Sequence, residues 1–80
     1  MDERQLVLIT ASDCHLCAHA RVVLMELGLE AREIDAASEE AHGLAKRGLP
    51  LAFLPVLWDG EHVLAYGRLS GRALRRKFAA

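Results

Sequence analysis

The chain reads as an α/β domain with the element order β-α-β-α-β-β-α, and three observations predict it. Leu6, Val7, Leu8 and Ile9 form a branched apolar run with no polar interruption, which reads as a strand buried on both faces. That run stops at Ser12 and Asp13, and from Leu16 onward apolar residues recur at helical spacing. Further on, Asp59-Gly60 separates two short apolar runs, a strong signal for an antiparallel hairpin.

Each element follows in turn. Residues 1–4 are a polar lead-in and 5–10 the first strand. The first helix is expected over 14–27, with Leu16, Ala20, Val23, Leu24 and Leu27 along one stripe and Gly28 as its terminating residue. Residues 29–35 read as a second strand, and the short return from the helix favours parallel pairing with the first. Ser38, followed by Glu39 and Glu40, opens a second helix that reaches Lys46 and ends at Gly48. An apolar loop with two prolines, Pro50 and Pro55, leads into a third strand at Val56, Leu57 and Trp58. The fourth strand is expected over 61–66. Gly67 breaks it, Ser70 can cap, and a last helix runs to Phe78 with Ala73, Leu74 and Phe78 facing inward.

Composition narrows the function classes. Eighty residues, 52% of them apolar, suit one small domain over 1–80 with a compact core. A net charge of −1 exerts no overall pull toward nucleic acid or a membrane surface. Arg68, Arg72, Arg75, Arg76 and Lys77 cluster near the end, but no aromatic residues are interleaved with them for base stacking. They read as a solvated helix face with its cations near the helix C-terminus. No signal peptide is visible, and no apolar run approaches the roughly 20 residues that span a bilayer. Two cysteines this close make no disulfide framework, so the expectation is a cytoplasmic protein whose pair is catalytic or metal-binding.

Cys14-His15-Leu16-Cys17 sits at the mouth of the first strand-to-helix turn. A helix N-terminus carries unpaired N–H groups and partial positive charge, which favours thiolate over thiol. Thiolate is the reactive form, so Cys14, at the helix edge, is the expected nucleophile. Cys17, one turn further on the same face, is placed to resolve a mixed disulfide formed on Cys14. His15, as a cation, would favour the Cys14 thiolate and oppose Asp13; the plain alternative is an exposed histidine with no role. His19 is expected at the surface, pointing away from the pair. Trp58 and Tyr66 read as ordinary core or edge residues, and Phe53 as a core residue beside Pro55, the alternative being a residue that lines a substrate groove there.

The order of elements, with CHLC at 14–17, FLPVLWDG at 53–60 and YGRLSGRAL at 66–74, resembles a short glutaredoxin-like protein of the thioredoxin superfamily. The resemblance spans nearly the whole chain. It implies a thioredoxin/glutaredoxin-like fold, a four-stranded mixed sheet flanked by three helices. It also implies a cis peptide bond before Pro55, which would lie beside the cysteines, with the Leu54 backbone pairing with the substrate backbone. The 67–71 turn would carry over as a resting place for a glutathione carboxylate on a helix N-terminus, assisted by Gly67, Arg68 or Ser70. Three departures stand out. His15 and Leu16 replace the usual Pro-Tyr between the cysteines, Leu54 replaces the usual threonine or valine, and Asp13 replaces a basic residue.

The implied function is thiol–disulfide oxidoreduction of protein or glutathione mixed disulfides by a monomer. It needs no resident cofactor, takes glutathione as a co-substrate, and is recycled by glutathione or a reductase. Two other classes stand beside it. Cys14, Cys17 and a histidine at 15 or 19 supply three ligands for zinc, or a dimer would share an iron–sulfur cluster through Cys14. No second Cys or His pair at finger-like spacing accompanies them, so the reading assigns no metal ligand. The last class is a domain that keeps the fold for interaction without catalysis.

Overall fold

The computed structural model describes residues 5–78, so the lead-in expected over 1–4 lies outside the described residues. The elements are β1 (Leu6–Thr10), α1 (His15–Glu26), β2 (Ala31–Asp35), α2 (Glu39–Lys46), β3 (Val56–Trp58), β4 (Val63–Tyr66) and α3 (Gly71–Phe78). They assemble one four-stranded sheet in the order β2-β1-β3-β4. β1 runs parallel to β2 and antiparallel to β3, and β4 returns antiparallel to β3. The sheet is therefore mixed, as the resemblance implies.

Side-chain alternation on β1 divides the core between the two faces of the sheet. Leu6 and Leu8 pack with Leu57 under Ala20, Val23 and Leu24 of α1 and Leu74 of α3. Val7 and Ile9 pack with Ile34 and Val56 under Ala41 and Leu44 of α2. Every residue of β1 is buried, which is why its sequence shows no polar alternation.

The connections that follow α1 and α2 open with the same chemistry. Gly28, at φ +70°, donates its N–H to Met25, and Leu29 donates to Leu24. Gly48, at φ +102°, donates to Ala45, and Leu49 donates to Leu44. Each is a left-handed turn whose following leucine packs back on the helix it ends. Leu29 is thus still closing α1, so β2 begins at Ala31 and not at residue 29.

Two further expectations change. The hairpin is longer than the Asp59-Gly60 pair suggests: the Asp59 carboxylate accepts the N–H groups of Glu61 and His62, and Asp59 N–H donates to the His62 carbonyl. These bonds make a loop of 59–62, so β4 starts at Val63 and not at 61. In α3, Leu74 and Phe78 lie four apart on the stripe that meets the core. Ala73, about 100° away around the helix, is exposed instead of inward-facing. Among the described residues, no helix is long and apolar enough to cross a membrane.

Candidate functional site

Strand register collects the residues of interest at one end of the sheet. Ile9 lies opposite Val56, and Val56 opposite Tyr66. The chain leaving β1 toward Cys14, the chain entering β3 through Leu54-Pro55, and the chain leaving β4 at Gly67 therefore emerge at that same end. The Leu54–Pro55 peptide bond is cis. Gly67, at φ +71°, donates its N–H to the carbonyls of both Pro55 and Phe53, each at 2.9 Å.

The loop from β1 reverses direction at Asp13, a non-glycine residue held at φ +57°. Aspartate is one of the few side chains that tolerates this left-handed conformation. The turn leaves Cys14 extended, with φ −112° and ψ 107°, in the N-cap position of α1. Its Sγ accepts the Cys17 N–H at 3.1 Å, and its carbonyl accepts the Ala18 N–H at the same distance. Sulfur thus takes the place usually filled by a serine or aspartate oxygen.

Cys14 and Cys17 are joined as a disulfide with Cα atoms 5.2 Å apart. Their accessibility differs sharply: Cys14 is half-buried, whereas Cys17 is 0% exposed. A donor N–H and the positive end of α1 both face Cys14 Sγ, an arrangement that stabilises negative charge on sulfur when the bond opens. The inner cysteine is sealed from solvent reagents and bonded to Cys14.

An open depression of about 490 Å³ adjoins Cys14 and is lined by Ser12, Asp13, His15, Ala18 and Arg21 among others. His15 is exposed at the first position of α1 and belongs to this wall. Arg21 is not free there. It holds Glu33 of β2 with Nε at 3.0 Å from both carboxylate oxygens and Nη2 at 2.6 Å from Oε2. The buried Thr10 hydroxyl donates to the same carboxylate at 2.9 Å. Arginine hydrogen bonding, opposed by partial burial and aided by Thr10, holds Glu33 below the usual carboxylate range.

The remaining sequence-selected residues stand apart from that depression. Pro55 is buried and Leu54 half-buried. Arg68 is exposed, and Ser70 Oγ accepts the Ala73 N–H at 3.1 Å as the cap of α3. Leu54, Pro55, Gly67, Arg68 and Ser70 do not line the wall beside Cys14.

Phe53 and His19 depart from expectation, whereas Tyr66 lies on the edge strand β4 as expected. Phe53 is 59% exposed and Tyr66 56%, and their rings meet with centroids 5.8 Å apart. Phe53 is therefore no core residue, because β3 begins only after it and its loop runs over the sheet end. His19 is half-buried, and its Nε2 lies 3.3 Å from the Leu69 carbonyl, so it does not point to open solvent. Its partner is 50 residues away, and no local pattern signals such a contact. Among the described residues, no group of three or more His, Cys, Asp or Glu is placed to hold a metal ion.

No protein-family model matches the chain, and no curated protein does. Among solved structures it is similar to NrdH-redoxin from Escherichia coli, a glutaredoxin-like protein with a thioredoxin-like activity profile. The TM-score is 0.71 at 20% identity, over 95% of this chain and 97% of that one. The fold is accordingly glutaredoxin-like, with a Cys-x-x-Cys disulfide at the start of its first helix.

Proposed function

We propose that the protein is a thiol–disulfide oxidoreductase in which Cys14 attacks and Cys17 resolves. The observation that supports this most directly is the asymmetry of the pair. Cys14 is half-buried and its Sγ accepts an N–H at a helix start, while Cys17 is fully enclosed behind it. Only one of the two sulfurs is reachable by an incoming disulfide.

The reduced protein begins the cycle. Cys14 thiolate attacks one sulfur of a substrate disulfide, a new Cys14–substrate S–S bond forms, and the other substrate sulfur leaves as thiolate. Cys17, after losing its proton to the departing substrate thiolate, then attacks Cys14 Sγ. The Cys14–Cys17 bond forms, the mixed disulfide breaks, and the second substrate thiol departs. Two electrons pass from protein to substrate. Two molecules of a monothiol such as glutathione, or a dithiol reductase, return them.

The substrates in this reading are protein disulfides or glutathione mixed disulfides, and the working compartment is the reducing cytoplasm. The backbone of Leu54, next to Pro55, pairs with the substrate backbone, and His15 borders the incoming chain on the opposite flank. Gly67, Arg68 and Ser70 form a second contact region at the turn leading into α3. The domain acts as a monomer without a resident cofactor, nucleic acid or membrane partner.

The test is turnover of a peptide disulfide coupled to glutathione recycling. Cys14→Ser abolishes it, and Cys17→Ser accumulates a mixed disulfide visible by mass. Full activity in the Cys14 variant sinks the assignment.

A further inference from the structure

We infer that His19 is a positioning residue that holds the Pro55 side of the site in place relative to the cysteine pair. This inference rests on the redox reading above and adds to it a residue two positions beyond Cys17. A carbonyl oxygen has no proton to give, so the 3.3 Å contact with Leu69 requires that His19 carry its proton on Nε2 and donate it. That bond is one link in a continuous strap. α1, which carries both cysteines, donates through His19 to Leu69; two residues back along the same turn, Gly67 donates to the carbonyls of Pro55 and Phe53.

Packing fastens the strap at its middle and far end. The Leu69 side chain is 1% exposed and belongs to the core under Ala20, Val23 and Leu24 of α1. Gly71 lies so near that a Cβ there would sit 3.7 Å from Val23 Cγ1. The turn is thus pressed onto α1 by apolar contact, but contact alone is not directional. The His19 bond orients the Leu69 peptide plane, and through Gly67 it sets where the Leu54-Pro55 segment lies. Substrate affinity at Leu54 then depends on His19, while the reactivity of Cys14 does not.

The experiment compares wild type, His19→Ala and His19→Gln. Glutamine keeps an amide N–H near the position of Nε2 and is the conservative rescue. Amide hydrogen exchange and backbone chemical shifts are read at Gly67 and Leu54, and steady-state kinetics use a peptide disulfide. In His19→Ala, Gly67 exchange quickens, the Leu54 resonance moves and KM rises about five-fold. Its kcat and the alkylation rate of reduced Cys14 stay within about two-fold of wild type. His19→Gln restores both the exchange and KM. The inference is overturned if Gly67 and Leu54 are unmoved in His19→Ala, if KM is unchanged, or if glutamine fails to rescue. Should His19→Ala not fold, the imidazole nitrogen shifts of the wild type decide, since a proton on Nδ1 alone removes the donor. A wild type that reduces no disulfide overturns the redox reading alone, because the exchange and shift measurements still judge the strap.

Discussion

Arg21 and Glu33 are twelve residues apart in the chain and meet as a two-pronged ion pair that ties α1 to β2. Thr10 of β1 adds a third donor, so one carboxylate links three consecutive elements around the loop that carries Cys14. Glu33 is held below its ordinary range chiefly by the Arg21 hydrogen bond. Its folded pKa lies under its unfolded one, so the stabilisation is full above the unfolded value and is lost as pH falls through the folded value. The side chains are 48% and 39% exposed, and solvent screening keeps the effect small. Glu33→Gln should lower the urea midpoint slightly at neutral pH, and the gap to wild type should close below about pH 4. A gap that persists undiminished into stronger acid contradicts this.

Two glycines should respond in opposite directions to alanine. Gly67 has φ +71° and nothing within 4 Å of a Cβ, so Gly67→Ala suffers only from its backbone conformation, about 1–2 kcal/mol. Gly43 lies within α2, also with open space around a Cβ. Gly43→Ala should stabilise by about 0.4–1 kcal/mol through reduced freedom of the unfolded chain. Chemical denaturation of both variants gives the signs directly.

Asp13 places a carboxylate next to Cys14, on the wall of the same depression. Replacing it with asparagine keeps a side chain that tolerates the φ of +57° and removes a negative charge that opposes the thiolate. Alkylation of reduced Cys14 at neutral pH should quicken roughly two- to five-fold in Asp13→Asn. An unchanged or slower rate shows that the carboxylate does not oppose the sulfur's charge.

Leu57 is fully buried at the centre of β3, between Leu8 of β1 and Ala65 of β4 in the strand register. Leu57→Ala should cost about 2–5 kcal/mol, a large share of the stability of a domain this size. Equilibrium unfolding in urea measures it, and a loss under about 1 kcal/mol means that the site refills on truncation.

What could be read from the chain alone was what local chemistry specifies. The buried character of Leu6 to Ile9, the cap at Ser38 and the stop at Gly48 all declare themselves within a few residues. So does the place of Cys14 at a helix start, since Ser12-Asp13 and the apolar spacing after it are adjacent. Contacts between distant segments were illegible. His19 looked like a surface residue because its carbonyl partner lies 50 positions on, and Arg21 with Glu33 carries no shared pattern. The hairpin differs from its sequence pattern for another reason. Asp59-Gly60 fits a two-residue turn, but the Asp59 carboxylate captures two following amides and so opens a wider loop. Phe53 misled because an aromatic beside a proline has the composition of a core and here the placement of a rim.

The strand order has a consequence for how the molecule behaves in company. Among the described residues, β2 and β4 are the outer strands of the sheet, where an unpaired backbone edge could template another chain. β2 shields its edge with the exposed charges of Arg32, Glu33 and Asp35, and Arg32 is further engaged by Glu40 of α2. β4 is four residues long, and its pairing with β3 slips at Leu57/Trp58, which spoils a flat row of donors and acceptors. The apolar β1 and β3, the segments with the strongest tendency to stack on copies of themselves, are enclosed between these guarded margins. Aggregation resistance is thereby built into the order in which the strands were laid down.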